Sequence, residues 1–250
     1  MAICKNCGKP LIPKGGKCVY CGSDVNDARK SMVPIEFKWM ADFVFCLDCS
    51  CSMMPVLDSI KENIAKFIEG IETLEYKRIN WRARVMGYRN FDVDEEYLMN
   101  DNPFVSSTEE LKKQLEGMEA KGYAEKEPCS TLDAIWYATK KSDWRKKCIK
   151  LVVVFTDNSP KPINEKTIKN IPCVDDDIEV LAEELSVNHI KLLLWGSEHP
   201  TYEFLLKNPM SDIILFKDPI DFYYHKAIDM STIFDAFPDP EEEISDDYVL

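Results

Sequence analysis

Short runs of apolar, β-branched or aromatic residues alternate along the chain with longer stretches in which apolar residues recur every three or four positions. Phe43–Leu47, Arg82–Tyr88, Ile149–Phe155, Ile190–Trp195 and Ile213–Phe216 are runs of the first kind, the pattern of strands buried on both faces of a parallel sheet. Val56, Ile60, Ile64, Phe67 and Ile71 share one helical face, as do Leu111, Leu115 and Met118, and again Ile178, Leu181 and Leu185. Ser107 followed by Glu110 reads as a capping box opening the second of these helices. "YLMNDNPF" (Tyr97–Phe104) predicts a short edge strand. Strands and helices in alternation imply right-handed crossovers, so the fold class is α/β: a mainly parallel central sheet with helices on both faces.

Two segments break this rhythm. Residues 1–30 hold four cysteines among glycines and prolines, with too few apolar residues to build a core. Residues 238–250 carry Asp239, Glu241, Glu242, Glu243, Asp246 and Asp247, and read as an acidic flexible tail. The α/β domain is thereby assigned to residues 31–237.

Charge narrows the partners. Lys and Arg number 31 against 44 Asp and Glu, a net −13, so a surface that grips nucleic-acid phosphates is not expected. No apolar run approaches the roughly 18 residues of a membrane span, and "MAICKNCGKP" lacks the apolar segment of a signal peptide. These features lead us to expect a cytoplasmic protein without membrane contact. Its ten cysteines are accordingly read as reduced thiols and metal thiolates, not as a disulfide framework.

Cys4 and Cys7 form one C-x-x-C pair and Cys18 and Cys21 a second, with Gly8 and Gly22 directly after each. Two such pairs provide the four thiolates of a tetrahedral zinc site. The stretch "CKNCGKPLIPKGGKCVYCG" resembles the short zinc ribbons found at the front of many bacterial proteins. That resemblance implies a structural Zn2+ and a small knuckle that contacts partners.

In "FVFCLDCSCS" (Phe43–Ser52) the first strand ends in Asp48, Ser50 and Ser52 just before a helix beginning near Pro55. In an open parallel sheet this is where ligands bind. The same residues would also serve as helix caps and dipole partners. A second strand, "LVVVFTDNSP" (Leu151–Pro160), likewise ends in an aspartate, Asp157.

With "GYRN" (Gly87–Asn90) and "EPCSTLDAI" (Glu127–Ile135), the sequences "DCSCS" and "TDNSP" resemble the von Willebrand factor A family over roughly residues 40–236. The resemblance implies a metal-ion-dependent adhesion site. Ser50 and Ser52 would bind Mg2+ or Mn2+ directly, Asp48 and Asp157 would supply charge, and an Asp or Glu of a protein partner would complete the octahedron. One position departs from the family, which places a Thr or Glu five residues before Ala134. Cys129 stands there, a soft thiol facing a hard ion. Ser130 fills the place only if the loop shifts by one residue.

Alternation sends Cys49 and Cys51 away from Ser50 and Ser52 as small buried side chains and leaves Cys46 in the core. A soft-metal cluster of Cys46, Cys49, Cys51 and Cys129 mixes residues of opposite parity. His189, His199 and His225 fall away from the candidate site, and no phosphate loop or H-E-x-x-H motif is present. The sequence therefore points away from an enzyme. It points to an adaptor capturing a partner carboxylate through the adhesion site, with the ribbon as second contact. The alternative is a metal-independent scaffold of the same fold. Clustering of carboxylates further suggests that Asp48→Ala leaves the fold intact or slightly steadier, and that the tail can compete in cis for the site.

Overall fold

The computed structural model describes residues 13–14, 17–21, 39–72, 79–90, 99–121, 128–163 and 178–216. Contacts divide the chain into two units, Met1–Lys38 and Trp39–Leu250. In the first, β1 (Pro13–Lys14) and β2 (Lys17–Cys18) pair antiparallel, Pro13 opposite Cys18 and Lys14 opposite Lys17. Cys18 is buried and Cys21 half-buried, and neither is in a disulfide. Cys4 and Cys7 lie outside the described residues, as does the acidic segment 238–250.

The second unit runs β3 (Trp39–Asp48), a 3-10 turn (Cys51–Met53), α1 (Met54–Glu72), β4 (Ile79–Tyr88), β5 (Met99–Asp101), α2 (Thr108–Glu116), α3 (Thr131–Lys141), β6 (Ile149–Phe155), α4 (Ile178–Val187), β7 (Ile190–Ser197), α5 (Pro200–Leu206) and β8 (Ser211–Phe216). The sheet order is β5-β4-β3-β6-β7-β8. All neighbours are parallel except β4 and β5, so the expected edge strand is present and antiparallel.

Strand alternation builds two cores. Phe43, Phe45 and Leu47 face one layer with α1 and α2; Val44 and Cys46 face the other with α3, α4 and α5. In α1, Val56, Leu57, Ile60, Ile64, Phe67, Ile68 and Ile71 are all buried. Each such side chain contributes about 1.5–3 kcal/mol, so packing against the sheet, more than helix propensity, holds α1 in place.

Several details differ from the sequence expectations. β3 begins at Trp39, because Asp42 is wholly buried in the strand and hides its first residues from a hydropathy reading. Asp42 accepts from Arg82 Nε and Nη2 at 3.1 and 2.7 Å and from the Arg145 backbone N–H and Nε at 2.9 and 2.7 Å. Ser107 sits at the cap of α2 but makes no side-chain capping bond, so the expected capping box does not form there. Short α5 escapes a periodicity reading; His199 caps it, Nδ1 accepting from the Thr201 N–H at 3.2 Å. His189 takes a left-handed φ of 51° in the turn between α4 and β7.

Candidate functional site

The carboxyl ends of β3 and β6 finish level. Leu47 pairs with Phe155, so Asp48, the last residue of β3, stands beside Thr156, the first after β6, and the Thr156 hydroxyl donates to Asp48 Oδ2 at 2.7 Å. The chain beyond Asp48 then turns back on itself. The Ser50 N–H donates to Asp48 Oδ1 at 2.9 Å, the Ser50 and Ser52 hydroxyls lie 2.9 Å apart, and Ser52 Oγ donates to Asp157 Oδ1 at 2.9 Å. A hydroxyl has one proton, and that of Ser52 goes to Asp157; Ser50 is therefore the donor within the serine pair.

All four expected residues, Asp48, Ser50, Ser52 and Asp157, thus converge. Asp48 is wholly buried and Asp157 only 9 % exposed. The capping explanation does not account for the hydroxyls: Ser50 stands at the cap of the 3-10 turn without a side-chain capping bond, and Ser52 lies inside that turn. Pro55 does occupy the first turn of α1.

Two further residues join the cluster. Thr156 buttresses Asp48, and Asn158 Nδ2 reaches Asp48 Oδ2, Ser50 Oγ and Ser52 Oγ at 3.1, 3.0 and 3.1 Å. Both flank Asp157 directly, and their polar side chains in "TDN" were the available signal.

At the third loop the Cys129 thiol is hydrogen-bonded to Asp48. A short parallel bridge joins Cys129 to Pro160: the Cys129 N–H donates to Ser159 O and the Lys161 N–H to Cys129 O, both at 2.8 Å. This register fixes the loop at Cys129, and Ser130, buried, stands at the cap position of α3 without a side-chain capping bond. Burial, the Asp48 charge and a hydrogen bond to Asp48 push the Cys129 thiol well above the ordinary range. It is a neutral thiol at pH 7. Cys46 and Cys129 pack in the layer of α3, Cys49 in that of α1; burial pushes the Cys46 and Cys49 thiols up to about 12. Cys51 is half-buried, where full burial was expected. Gly87, next to last in β4, lies against this wall, where a Cβ would lie 2.7 Å from Met118 Sδ and 3.0 Å from Cys49 Sγ.

Below the cluster, the Tyr88 hydroxyl donates to Thr131 Oγ1 at 3.2 Å and the Tyr202 hydroxyl to Asn158 O at 3.2 Å. Three residues beyond Asp157, Pro160 begins the wall of a cavity of about 240 Å³, shared with Leu132, Lys161, Ile163, Ile178 and His199.

A parallel sheet whose strand ends present D-x-S-x-S beside a second aspartate defines a class of α/β domain built to meet ligands at that edge. Residues 42–211 match the von Willebrand factor type A domain family, well over half of the chain, and the protein belongs to that family. No curated protein matches it in sequence. Among solved structures it is similar to the crystal structure of an aerotolerance-related membrane protein from Bacteroides fragilis with multiple mutations to serines, at 15% identity and a TM-score of 0.48, covering 74% of this chain and 95% of that one. No described helix is long and apolar enough to cross a membrane.

Two serine hydroxyls and two carboxylates are hard oxygen donors of the kind a divalent cation takes. Two oxygens bound at right angles to one Mg2+, each at about 2.0–2.1 Å, sit about 2.8–3.0 Å apart. The serine hydroxyls, and Ser52 Oγ with Asp157 Oδ1, are hydrogen-bonded at 2.9 Å, a spacing that falls within the same range. Two carboxylates balance a divalent charge, and every donor named here to the buried Asp48 is neutral, leaving its charge without a cationic partner in that set.

Proposed function

We propose that the protein is a binding adaptor, not an enzyme, and that it captures an Asp or Glu of a protein partner through a divalent cation. Ser50 and Ser52 bind Mg2+ or Mn2+ directly, with Asp48 and Asp157 supplying charge. The observation that carries this reading is the meeting of these four side chains across two loops, with oxygen spacings of 2.9 Å that suit an octahedral ion. Met54, 61 % exposed, lies two residues beyond Ser52 and offers a partner apolar contact near the charge. A zinc ion on Cys4, Cys7, Cys18 and Cys21 organises the second contact, and the protein works in the cytoplasm.

Calorimetric titration of the full chain with Mg2+ and with Mn2+ tests the site. Binding that disappears in the Ser50→Ala/Ser52→Ala variant and tightens when an Asp-containing peptide is added supports the reading, since linked ligands strengthen each other. Absence of binding by either ion overturns it. A metal-independent scaffold would then take its place, a reading favoured by one feature, the neutral buried thiol of Cys129 at the third loop.

A further inference from the structure

The side chain of Asn158 lies across the oxygen cluster. Its Nδ2 caps three oxygens at once, Asp48 Oδ2, Ser50 Oγ and Ser52 Oγ, at 3.0–3.1 Å. An amide nitrogen carries two protons, so three acceptors share them, and the group supplies partial positive charge where these lone pairs converge. Chemistry fixes its orientation, because turning the amide over would set Oδ1 against the Asp48 carboxylate, acceptor against acceptor.

The backbone of Asn158 is held independently of this contact. Its N–H donates to Thr156 Oγ1 at 3.1 Å and its carbonyl accepts from the Tyr202 hydroxyl at 3.2 Å. The side chain itself is half-buried. A rotation about its own torsions would break none of the backbone bonds that hold the loop carrying Asp157.

We propose that Asn158 is a built-in competitor of the cation: its carboxamide occupies the acceptor lone pairs of the oxygen cradle in the metal-free protein and must leave before a divalent ion binds. This rests on the cation-binding reading of the same site. The lone pairs that accept from Nδ2 are those a metal needs, and an oxygen cannot serve both at full strength. The residue thus tunes cation affinity and spares the metal-free protein buried acceptors without a donor. It acts on the site through these oxygens and is not itself assigned as a ligand.

The test uses full-length protein and the variants Asn158→Ala and Asn158→Gln, titrated with Mn2+ and followed by calorimetry and by the paramagnetic signal of free Mn2+. Removing the competitor is expected to tighten Mn2+ binding in Asn158→Ala by roughly tenfold, the worth of one or two net hydrogen bonds. Without metal, the same variant is expected to melt at a lower temperature than wild type, and saturating Mn2+ to close that gap. Asn158→Gln keeps the amide on a longer stem and separates loss of the amide from loss of its placement; an affinity between those of wild type and Asn158→Ala is expected. Wild-type binding that is unchanged or weakened in Asn158→Ala overturns the competitor role and leaves the cation site standing. No Mn2+ binding by any of the proteins overturns both readings together.

Discussion

Ser52 Oγ donates to Asp157 Oδ1 across 2.9 Å although 105 positions separate the two residues in the chain. This bond ties the loop after β3 to the loop after β6, and the cluster exists because both strands end at the same level of the sheet.

Asp48 accepts from the Ser50 N–H, Thr156 Oγ1 and Asn158 Nδ2 while wholly buried. Relief of carboxylate repulsion led to an expected neutral or slight gain for Asp48→Ala; the observed donor set reverses the sign. Removing the carboxylate strands several buried donors, and we expect a loss of about 1–3 kcal/mol in urea unfolding, together with loss of Mg2+ binding. An unfolding midpoint at or above wild type would mean that repulsion outweighs these bonds.

Cys129→Thr replaces a soft neutral donor with a hydroxyl in a loop whose register is held by the bridge to Pro160. Mg2+ affinity is expected to rise by several-fold, as a hard ion prefers oxygen. In wild type, the thiols of Cys46, Cys49 and Cys129 should resist alkylation at pH 8 while the protein is folded, because burial pushes all three well up. Mass spectrometry after a timed exposure to iodoacetamide reads both the order and the extent.

At the opposite end of β3, burial alone would raise the Asp42 carboxyl, but hydrogen bonds and charge from Arg82 and Arg145 outweigh it and hold it below its ordinary value. A carboxyl depressed in the folded state contributes its stability above its unfolded pKa of about 4 and loses it as pH falls through the lower folded value. Asp42→Asn is therefore expected to cost about 3–5 kcal/mol at pH 7, the usual penalty for breaking a buried pair from one side. The gap between variant and wild type should narrow below about pH 4. Urea titrations at pH 7 and pH 3 measure it; a gap independent of pH would assign the loss to packing.

The amino-terminal cysteines should hold one zinc per chain after anaerobic purification, as four thiolates saturate a tetrahedral ion. Cys4→Ser is expected to release that zinc and leave the main thermal transition nearly unchanged, since residues 1–38 and 39–250 form separate units. Elemental analysis and calorimetric melting read the two effects separately, and a collapsed main transition would show that the units are energetically one.

The sequence by itself determined the five main strands, the faces of α1, α2 and α4, and the position of D-x-S-x-S at a strand end. All of these are written in short-range hydrophobic periodicity, which a linear reading detects directly. It also located Asp157, through a second strand that ends in an aspartate. Only the tertiary structure decided which partners those side chains take. Strand register brings Thr156 against Asp48, the bridge to Pro160 turns Cys129 toward the site, and the turn after β6 lays Asn158 across three oxygens. The buried Asp42 strand entry and short α5 were hidden for the same reason: arginines more than 35 residues downstream compensate Asp42, and the packing of Tyr202 and Leu205 holds α5. Side-chain pairing between distant segments depends on how the strands align, and no periodicity within one segment records it.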